Sequence, residues 1–255
     1  MVRTILITGA SGNLGAKLRK HLQGRYSLRL IDINHRKDRE IMTADLSVWD
    51  EEWVRLFQGA DVVVHFAADP DPNKSWDELA RPNIDAAINV FHASCMKKVK
   101  RIIFASSNHV MGGYKDMKMP ALITTDMPPL PGTHYTMQGK NHDSTPYGSA
   151  KLMIERLGKC YAEIYDMTVI ALRIGWMLQG ENRPEDIFEG CEEWFRLMWL
   201  SNRDFCQLMD CCIEAEISDN FTVLNGMSAN AGMRWDIGYT KKMIGYRPVD
   251  DVARG

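Results

Sequence analysis

The sequence predicts a doubly wound α/β fold, a parallel sheet with helices on both faces, and three observations predict it. Short β-branched apolar runs alternate with stretches that carry apolar residues at helical period, as at Leu14, Leu18 and Leu22 and again at Ile84, Ala87, Ile88, Phe91 and Cys95. The first of those runs breaks directly into three spaced glycines, Gly9, Gly12 and Gly15. A second run, over residues 28–31, ends on Asp32, about the 20-residue distance at which an acidic group meets an adenosine ribose.

The first strand covers residues 4–8 and turns on Gly9. Gly12 lets a pyrophosphate approach main-chain N–H groups, and Gly15 lets the following helix pack against its strand. The helix opens at Asn13 and Leu14, and its unpaired N–H groups and partial positive charge face the phosphates. Asp32 would accept hydrogen bonds from ribose hydroxyls and repel a 2′-phosphate, which favours NAD over NADP, although Arg36, Lys37 and Arg39 follow closely. A third strand, 41–44, ends at Asp45 and Leu46. Asp45 either accepts from the adenine amino group or caps a helix over 49–57, and Leu46 covers the ring. The fourth strand, within 61–68, ends in Phe66, Ala67 and Ala68, small enough in part for a cofactor to lie on the backbone. Pro82 suits a first helical position.

A fifth strand, 101–105, delivers Ser106, Ser107, Asn108 and His109 to its carboxyl end, where ligands of such sheets bind. Residues 114–146 lack periodicity and hold Pro120, Pro128, Pro129, Pro131 and Pro146. This segment either folds over the substrate, with Lys140, Asn141 and His142 toward an anionic group, or is a solvated flap. The helix after it carries Tyr147 and Lys151 one turn apart on one face. A phenol titrates near 10, and a neighbouring ammonium with a cationic nicotinamide would lower that value toward the working range.

Composition narrows the class further. The chain has 255 residues, 45% of them hydrophobic, with a formal net charge of −2. That balance excludes nucleic acid and anionic membranes as evident partners. No apolar segment approaches the roughly 18 residues that cross a bilayer. The N-terminus enters the first strand directly, so a cytoplasmic protein is expected. Six cysteines show neither CxxC pairing nor histidines at ligand spacing; buried free thiols and no metal are expected.

On these residues the chain resembles the extended short-chain dehydrogenase/reductase family. The run from Gly9 to Gly15 (GASGNLG) is similar to that family's glycine pattern, Tyr147-Gly148-Ser149-Ala150-Lys151 to its catalytic pattern, and Ser107 to its catalytic serine. The resemblance implies Tyr147 as general base, Ser107 holding the reacting oxygen, and Lys151 both tuning Tyr147 and binding the nicotinamide ribose. It places Phe66, Ala67, Ala68, Asn83 and Ile174 along an NAD cofactor. Within the family, Ala105 to His109, Arg173-Ile174-Gly175, residues 198–204 and 226–230 resemble the short sugar 1-dehydrogenases. Two subgroups are candidates, the archaeal-type NAD-dependent glucose-6-phosphate dehydrogenases and the uronate dehydrogenases, and Asp69-Pro70, Trp76 and the run 198–204 resemble the first more. Both oxidise the C1 hemiacetal of a hexose derivative to its lactone. Trp176 departs from the small serine of the uronate enzymes and would fill part of a carboxylate pocket. Asn108 and His109 would orient sugar hydroxyls.

The strand pattern divides the chain into a Rossmann-type NAD-binding domain, 1–176, and a small substrate-binding extension, 177–255, packed against the sheet's carboxyl edge because it is short for an independent core. The sheet pattern ends near Ile174; helices over 186–200 and 204–215 and a strand at 221–224 come after it. Arg196 and Arg183 are the cations available for a phosphate or carboxylate, and each could equally be a surface arginine. A homodimer is a family expectation. The competing readings are a nucleotide-sugar epimerase or dehydratase, which uses the same tyrosine, and a dinucleotide sensor without turnover.

Overall fold

In the computed structural model, which describes residues 2–254 apart from Gln138, strand β1 (Thr4–Thr8) leads through the glycine turn into helix α1 (Asn13–Leu22). Strand β2 (Ser27–Asp32), strand β3 (Ile41–Thr43), a short helix α2 (Glu51–Val54), strand β4 (Val62–His65), helices α3 (Trp76–Leu79) and α4 (Ala86–Met96) and strand β5 (Arg101–Ser107) come next. The second half adds a hairpin, β6 (His134–Met137) and β7 (Lys140–Asp143), then helix α5 (Thr145–Ile164) and strand β8 (Thr168–Ile174). Helices α6 (Glu193–Leu197) and α7 (Asn202–Glu214), strand β9 (Phe221–Gly226) and helix α8 (Gly238–Ile244) complete the chain.

Seven strands pair in the order β3-β2-β1-β4-β5-β8-β9, every neighbour parallel. The order reverses between β1 and β4, and the crevice outside the strand ends at such a reversal is where this architecture binds ligands. Alternate strand residues feed two cores. Ile5 and Ile7 join α1, α7 and Tyr246 on one face; Leu6, Val63 and Phe104 join Trp53, Phe91 and Ile154 on the other. Burial on both faces is why these strands read as continuous apolar runs.

Several expectations are corrected. The sheet does not end at Ile174: β9 pairs with β8 along six residues, and α7 seals the face of α1 with Phe205, Leu208 and Cys212. Residues 177–255 therefore supply part of the main core. The helix expected over 186–200 shrinks to α6, because Gly190 adopts φ +80° just before it and breaks the path. Pro82 lies inside a widened turn, Ala80–Asp85, between α3 and α4, where its missing N–H is tolerated. The helical start is instead Ser75, whose capping box with Glu78 precedes α3. Ile88 is exposed. Of the six thiols, Cys212 alone is buried and Cys160 is exposed.

The long segment 114–146 is fastened at several points. The Arg234 guanidinium donates to the carbonyls of Tyr114, Lys115 and Pro120, and Ile123 pairs with the Trp235 segment. Its latter part folds into the β6–β7 hairpin. Among the described residues no helix is long and apolar enough to cross a membrane.

Candidate active site

One cavity of about 910 Å³ runs along the carboxyl ends of the strands, from Asp32 past Gly12 to Tyr147. Its first part is a backbone cradle. Gly9 turns at φ +69°, and a Cβ there would stand 2.6 Å from the Ala67 nitrogen. A Cβ on Gly15 would sit 2.0 Å from the Gly9 carbonyl oxygen, so only glycine allows α1 to start this close to β1. The buried Asp32 carboxylate accepts from Ser11 N at 2.9 Å and Asn34 N at 3.0 Å, which fixes it at the end of β2. Asp45, Leu46, Phe66, Ala67, Ala68 and Ile174 line the same cavity. A glycine-built cradle with a fixed carboxylate at one end and Tyr147 at the other fits a dinucleotide.

Three of the named cofactor residues have jobs the sequence did not suggest. Asn13, which also lines the cavity, donates from Nδ2 to the carbonyls of Met177 (3.2 Å) and Leu178 (3.1 Å), and Lys17 joins it on Leu178. That draws the 177–178 backbone over the mouth of the glycine turn. Asp45 accepts from the backbone and hydroxyl of Ser47, while Asp50 caps α2, so the capping alternative for Asp45 is corrected. Asn83 lies outside the cavity wall. Its amide brackets the backbone of Asp69, accepting from the N–H at 2.7 Å and donating to the carbonyl at 3.1 Å. It thereby supports the loop that does line the cavity.

At the far end, β5 delivers Ser107 and the turn after it, and α5 delivers Tyr147 and Lys151 beside them. Ser107 Oγ accepts from His109 N at 3.2 Å. Lys151 is buried behind Tyr147, its Nζ 5.6 Å from the ring centre and donating to the Ala105 carbonyl at 2.9 Å. Burial pushes the Tyr147 phenol up to about 12; its hydrogen bond with Ser107 pulls the other way and the Asp69 carboxylate adds to the rise. Burial pushes the Lys151 ammonium down to about 8. The depression of Tyr147 by Lys151 expected from the spacing is thus not produced by the protein's own groups, because desolvation of the phenolate outweighs them.

His109 stands edge-on to Tyr147, ring centres 5.6 Å apart, with Nδ1 2.6 Å from Ser144 Oγ and 3.1 Å from Thr133 Oγ1. Burial pushes it down to about 4, so its ring is neutral. Asn108 donates from Nδ2 to the Ile174 carbonyl, which leaves its buried Oδ1 an acceptor without a partner among the described residues. Trp176 lines the cavity and packs edge-on to Phe188.

Arg196 and Arg183 do not join them. Arg196 is exposed on α6 away from the cavity wall, and Arg183 pairs with Glu185 and Asp186. Lys140 and Asn141 are also exposed and off the wall; His142 stacks on Tyr135 at 5.1 Å. What sequence reasoning missed is the rest of that wall: Tyr135 and Thr136 on β6, Glu192 and Phe195 at α6, and Asp69 and Asp71 after β4. Only the acidic, proline-rich run 69–72 offered any local hint.

The family model described as "NAD dependent epimerase/dehydratase family" matches residues 5–186. The chain is similar to an L-arabinose 1-dehydrogenase (NAD(P)(+)) of Haloferax volcanii, 33% identical over 98% of this chain and 97% of that protein. It is similar to an NAD-dependent glucose-6-phosphate dehydrogenase of the same organism, 32% identical over 99% of this chain and 95% of that one. A uronate dehydrogenase variant from Agrobacterium tumefaciens, solved in complex with NAD, superposes with a TM-score of 0.78 at 25% identity, covering 100% of this chain and 87% of that chain.

Proposed function

The chain belongs to the NAD dependent epimerase/dehydratase family, and from that premise we propose that it is an NAD-dependent sugar 1-dehydrogenase, oxidising the C1 hemiacetal of a sugar to the lactone. The observation that carries this reading is the convergence of Ser107, Tyr147 and neutral His109 on the end of one cavity whose other end is the glycine cradle. Two relatives that match nearly the whole chain, named as an L-arabinose 1-dehydrogenase and an NAD-dependent glucose-6-phosphate dehydrogenase, support it.

Asp32 holds the adenosine ribose, Leu46 and Phe66 flank the adenosine half, and the N–H groups around Gly12 receive the pyrophosphate. Bound NAD supplies a hydride acceptor at nicotinamide C4 and a positive ring that favours phenolate at Tyr147. Tyr147 takes the proton from the C1 hydroxyl, and Ser107 donates to the same oxygen as it becomes a carbonyl. Lys151 steadies the Tyr147 phenolate and the nicotinamide ribose. Asn108, through its free Oδ1, and His109 hold sugar hydroxyls, with Trp176 closing one side. The catalytic set is Ser107, Tyr147 and Lys151.

The epimerase reading uses the same tyrosine, but relatives named as dehydrogenases that match this chain nearly end to end favour net oxidation. The two separate cleanly. With NAD and a C1-deuterated sugar, the dehydrogenase gives deuterated reduced cofactor and a lactone in equal amounts. Interconversion of UDP-glucose and UDP-galactose without accumulating reduced cofactor would support the epimerase instead.

The chain also forms a homodimer in this proposal. Ile88 and Met96 on α4 and Met153 and Ile164 on α5 are exposed apolar side chains, and α4 and α5 pack side by side. Sedimentation of the Met153→Lys variant as a monomer, against a dimer for the parent, tests this.

A further inference from the structure

If the protein oxidises a sugar at C1, as proposed above, the charge pattern at the sugar end of its cavity narrows which sugars it takes. The wall carries three carboxylates there, Asp69, Asp71 and Glu192. The one cationic side chain on the whole wall among the described residues is Arg36, at the opposite, adenosine end beside Asp32. Two lysines stand beside these carboxylates, and both are committed. Lys74 pairs with Asp69 at 2.7 Å, and Lys115 pairs with Glu192 at 2.7 Å while donating to the His134 carbonyl. Lys151, behind Tyr147, is held by the Ala105 carbonyl. Asp71 has no cation partner among the described residues; its carboxylate accepts only from the backbone and amide of Asn73. His109, the other basic group of the wall, is neutral.

The two ion pairs cancel locally and leave Asp71 as the uncompensated charge, so an anion entering here gives up part of its hydration and finds no free cation to replace it. A neutral sugar loses nothing comparable. Its hydroxyls donate to carboxylates, and its C–H faces lie against aromatic rings. The wall supplies both: Tyr135 and Phe195 pack edge to face at 4.9 Å, and Trp176 stands on another side. The field of Asp69 already reaches the reacting end, where it opposes a second negative charge on Tyr147, and that of Asp71 does the same at Tyr135. A phosphate or carboxylate on the sugar would feel the same opposition.

We propose that the substrate of this site is a neutral aldose: Asp69 and Glu192 hold Lys74 and Lys115 away from a charged sugar, and the unpaired Asp71 turns away sugars that bear a phosphate or carboxylate.

The test is a set of initial rates of NAD reduction with the full chain. L-arabinose, D-xylose, D-galactose and D-glucose are compared with glucose 6-phosphate, glucuronate and galacturonate under one buffer and ionic strength. The expected result is a kcat/KM for at least one neutral aldose at least about tenfold above every anionic sugar. Asp71→Asn and Glu192→Gln should each narrow that gap by raising kcat/KM for the anionic sugars. Asp71 is exposed on a loop, so its variant keeps the fold. Preference for an anionic sugar by the parent protein would overturn the proposal while leaving the dehydrogenase reading intact. An unchanged ratio in both variants would overturn the role given to the carboxylates. Failure of every sugar to reduce NAD would bring down the dehydrogenase reading itself, and this inference with it.

Discussion

Lys151 Nζ donates to the Ala105 carbonyl oxygen across 2.9 Å, tying α5 to the last residues of β5. One of the three ammonium donors is thereby used to hold the charge behind Tyr147, and two remain for cofactor and phenolate. Lys151→Ala is expected to weaken NAD binding and to lower kcat/KM by about 100-fold or more. Lys151→Arg should not restore it, because a planar guanidinium cannot meet the same carbonyl from the same buried position. NAD titration followed by fluorescence, alongside initial rates, reads both effects; wild-type affinity in Lys151→Ala would contradict the role.

In the proposed reaction Tyr147 sets the pH dependence of oxidation. Burial pushes the phenol up to about 12 without cofactor; the positive nicotinamide lowers it in the NAD complex, and the fraction present as base grows with pH below that lowered value. kcat/KM should therefore climb between pH 6 and 9 by close to tenfold per unit at first, with the slope easing above about 8, where Lys151 loses its proton. A profile flat over pH 6–9 would show that Tyr147 is not the group titrating.

The two buried imidazoles make stability, too, depend on pH, in the acid range. Burial lowers His109 from 6.5 to about 4 and His65 to about 3, the latter also opposed by Lys151. Between those values and 6.5 the unfolded chain binds more protons than the folded one, so stability is complete above pH 6.5 and declines as the pH falls toward 4 and below. Urea midpoints at pH 7.5 and 4.5 should differ measurably. His109→Gln should show a smaller drop over the same interval, and an unchanged drop would refute the assignment.

In the proposed function Asp32 discriminates between the two cofactors. Its carboxylate is fixed by Ser11 N and Asn34 N, and Arg36 lines the cavity beside it. Asp32→Ala removes both the ribose acceptor and the repulsion of a 2′-phosphate, and leaves Arg36 to attract that phosphate. KM for NAD should rise while KM for NADP falls, so the ratio of kcat/KM values moves toward NADP by about tenfold or more. An unaltered ratio would mean that Arg36 and the loop, rather than Asp32, set the preference.

Gly15 tests the cradle. A Cβ at this position would stand 2.0 Å from the Gly9 carbonyl oxygen, so Gly15→Ala must push α1 away from the turn, at a cost of about 1–3 kcal/mol in stability. The shift also displaces the N–H groups that meet the pyrophosphate. Both the urea midpoint and NAD affinity should fall together; loss of neither would show that the close approach is relaxed in solution.

Local spacing made part of this architecture legible. The glycine turn, Asp32, and the Tyr147–Lys151 turn are each set within about twenty residues, where backbone sterics and helical period leave few alternatives. Strand β9 was legible as a strand and not as a member of the sheet, since its pairing with β8 joins segments some fifty residues apart and no local period encodes that. The substrate wall is harder still. Tyr135, Phe195, Glu192 and Asp69 come from separate segments and are brought to one wall by contacts distant in sequence: Tyr135 packs on Phe195, Thr136 N and Lys115 bond Glu192, and Asn83 fastens the Asp69 loop. Arg196 was misplaced for the same reason: the helix that carries it begins only after the break at Gly190, which rotates it out to solvent.

The most direct measurement of the central claim is made on Tyr147→Phe, which removes one oxygen from a buried ring. NAD affinity, measured by titration, should stay within about threefold of the parent, while the rate of NAD reduction by sugar falls by about a thousandfold. Turnover near the parent rate in a variant that still binds NAD would contradict the account, because no phenol would then be taking the proton from C1.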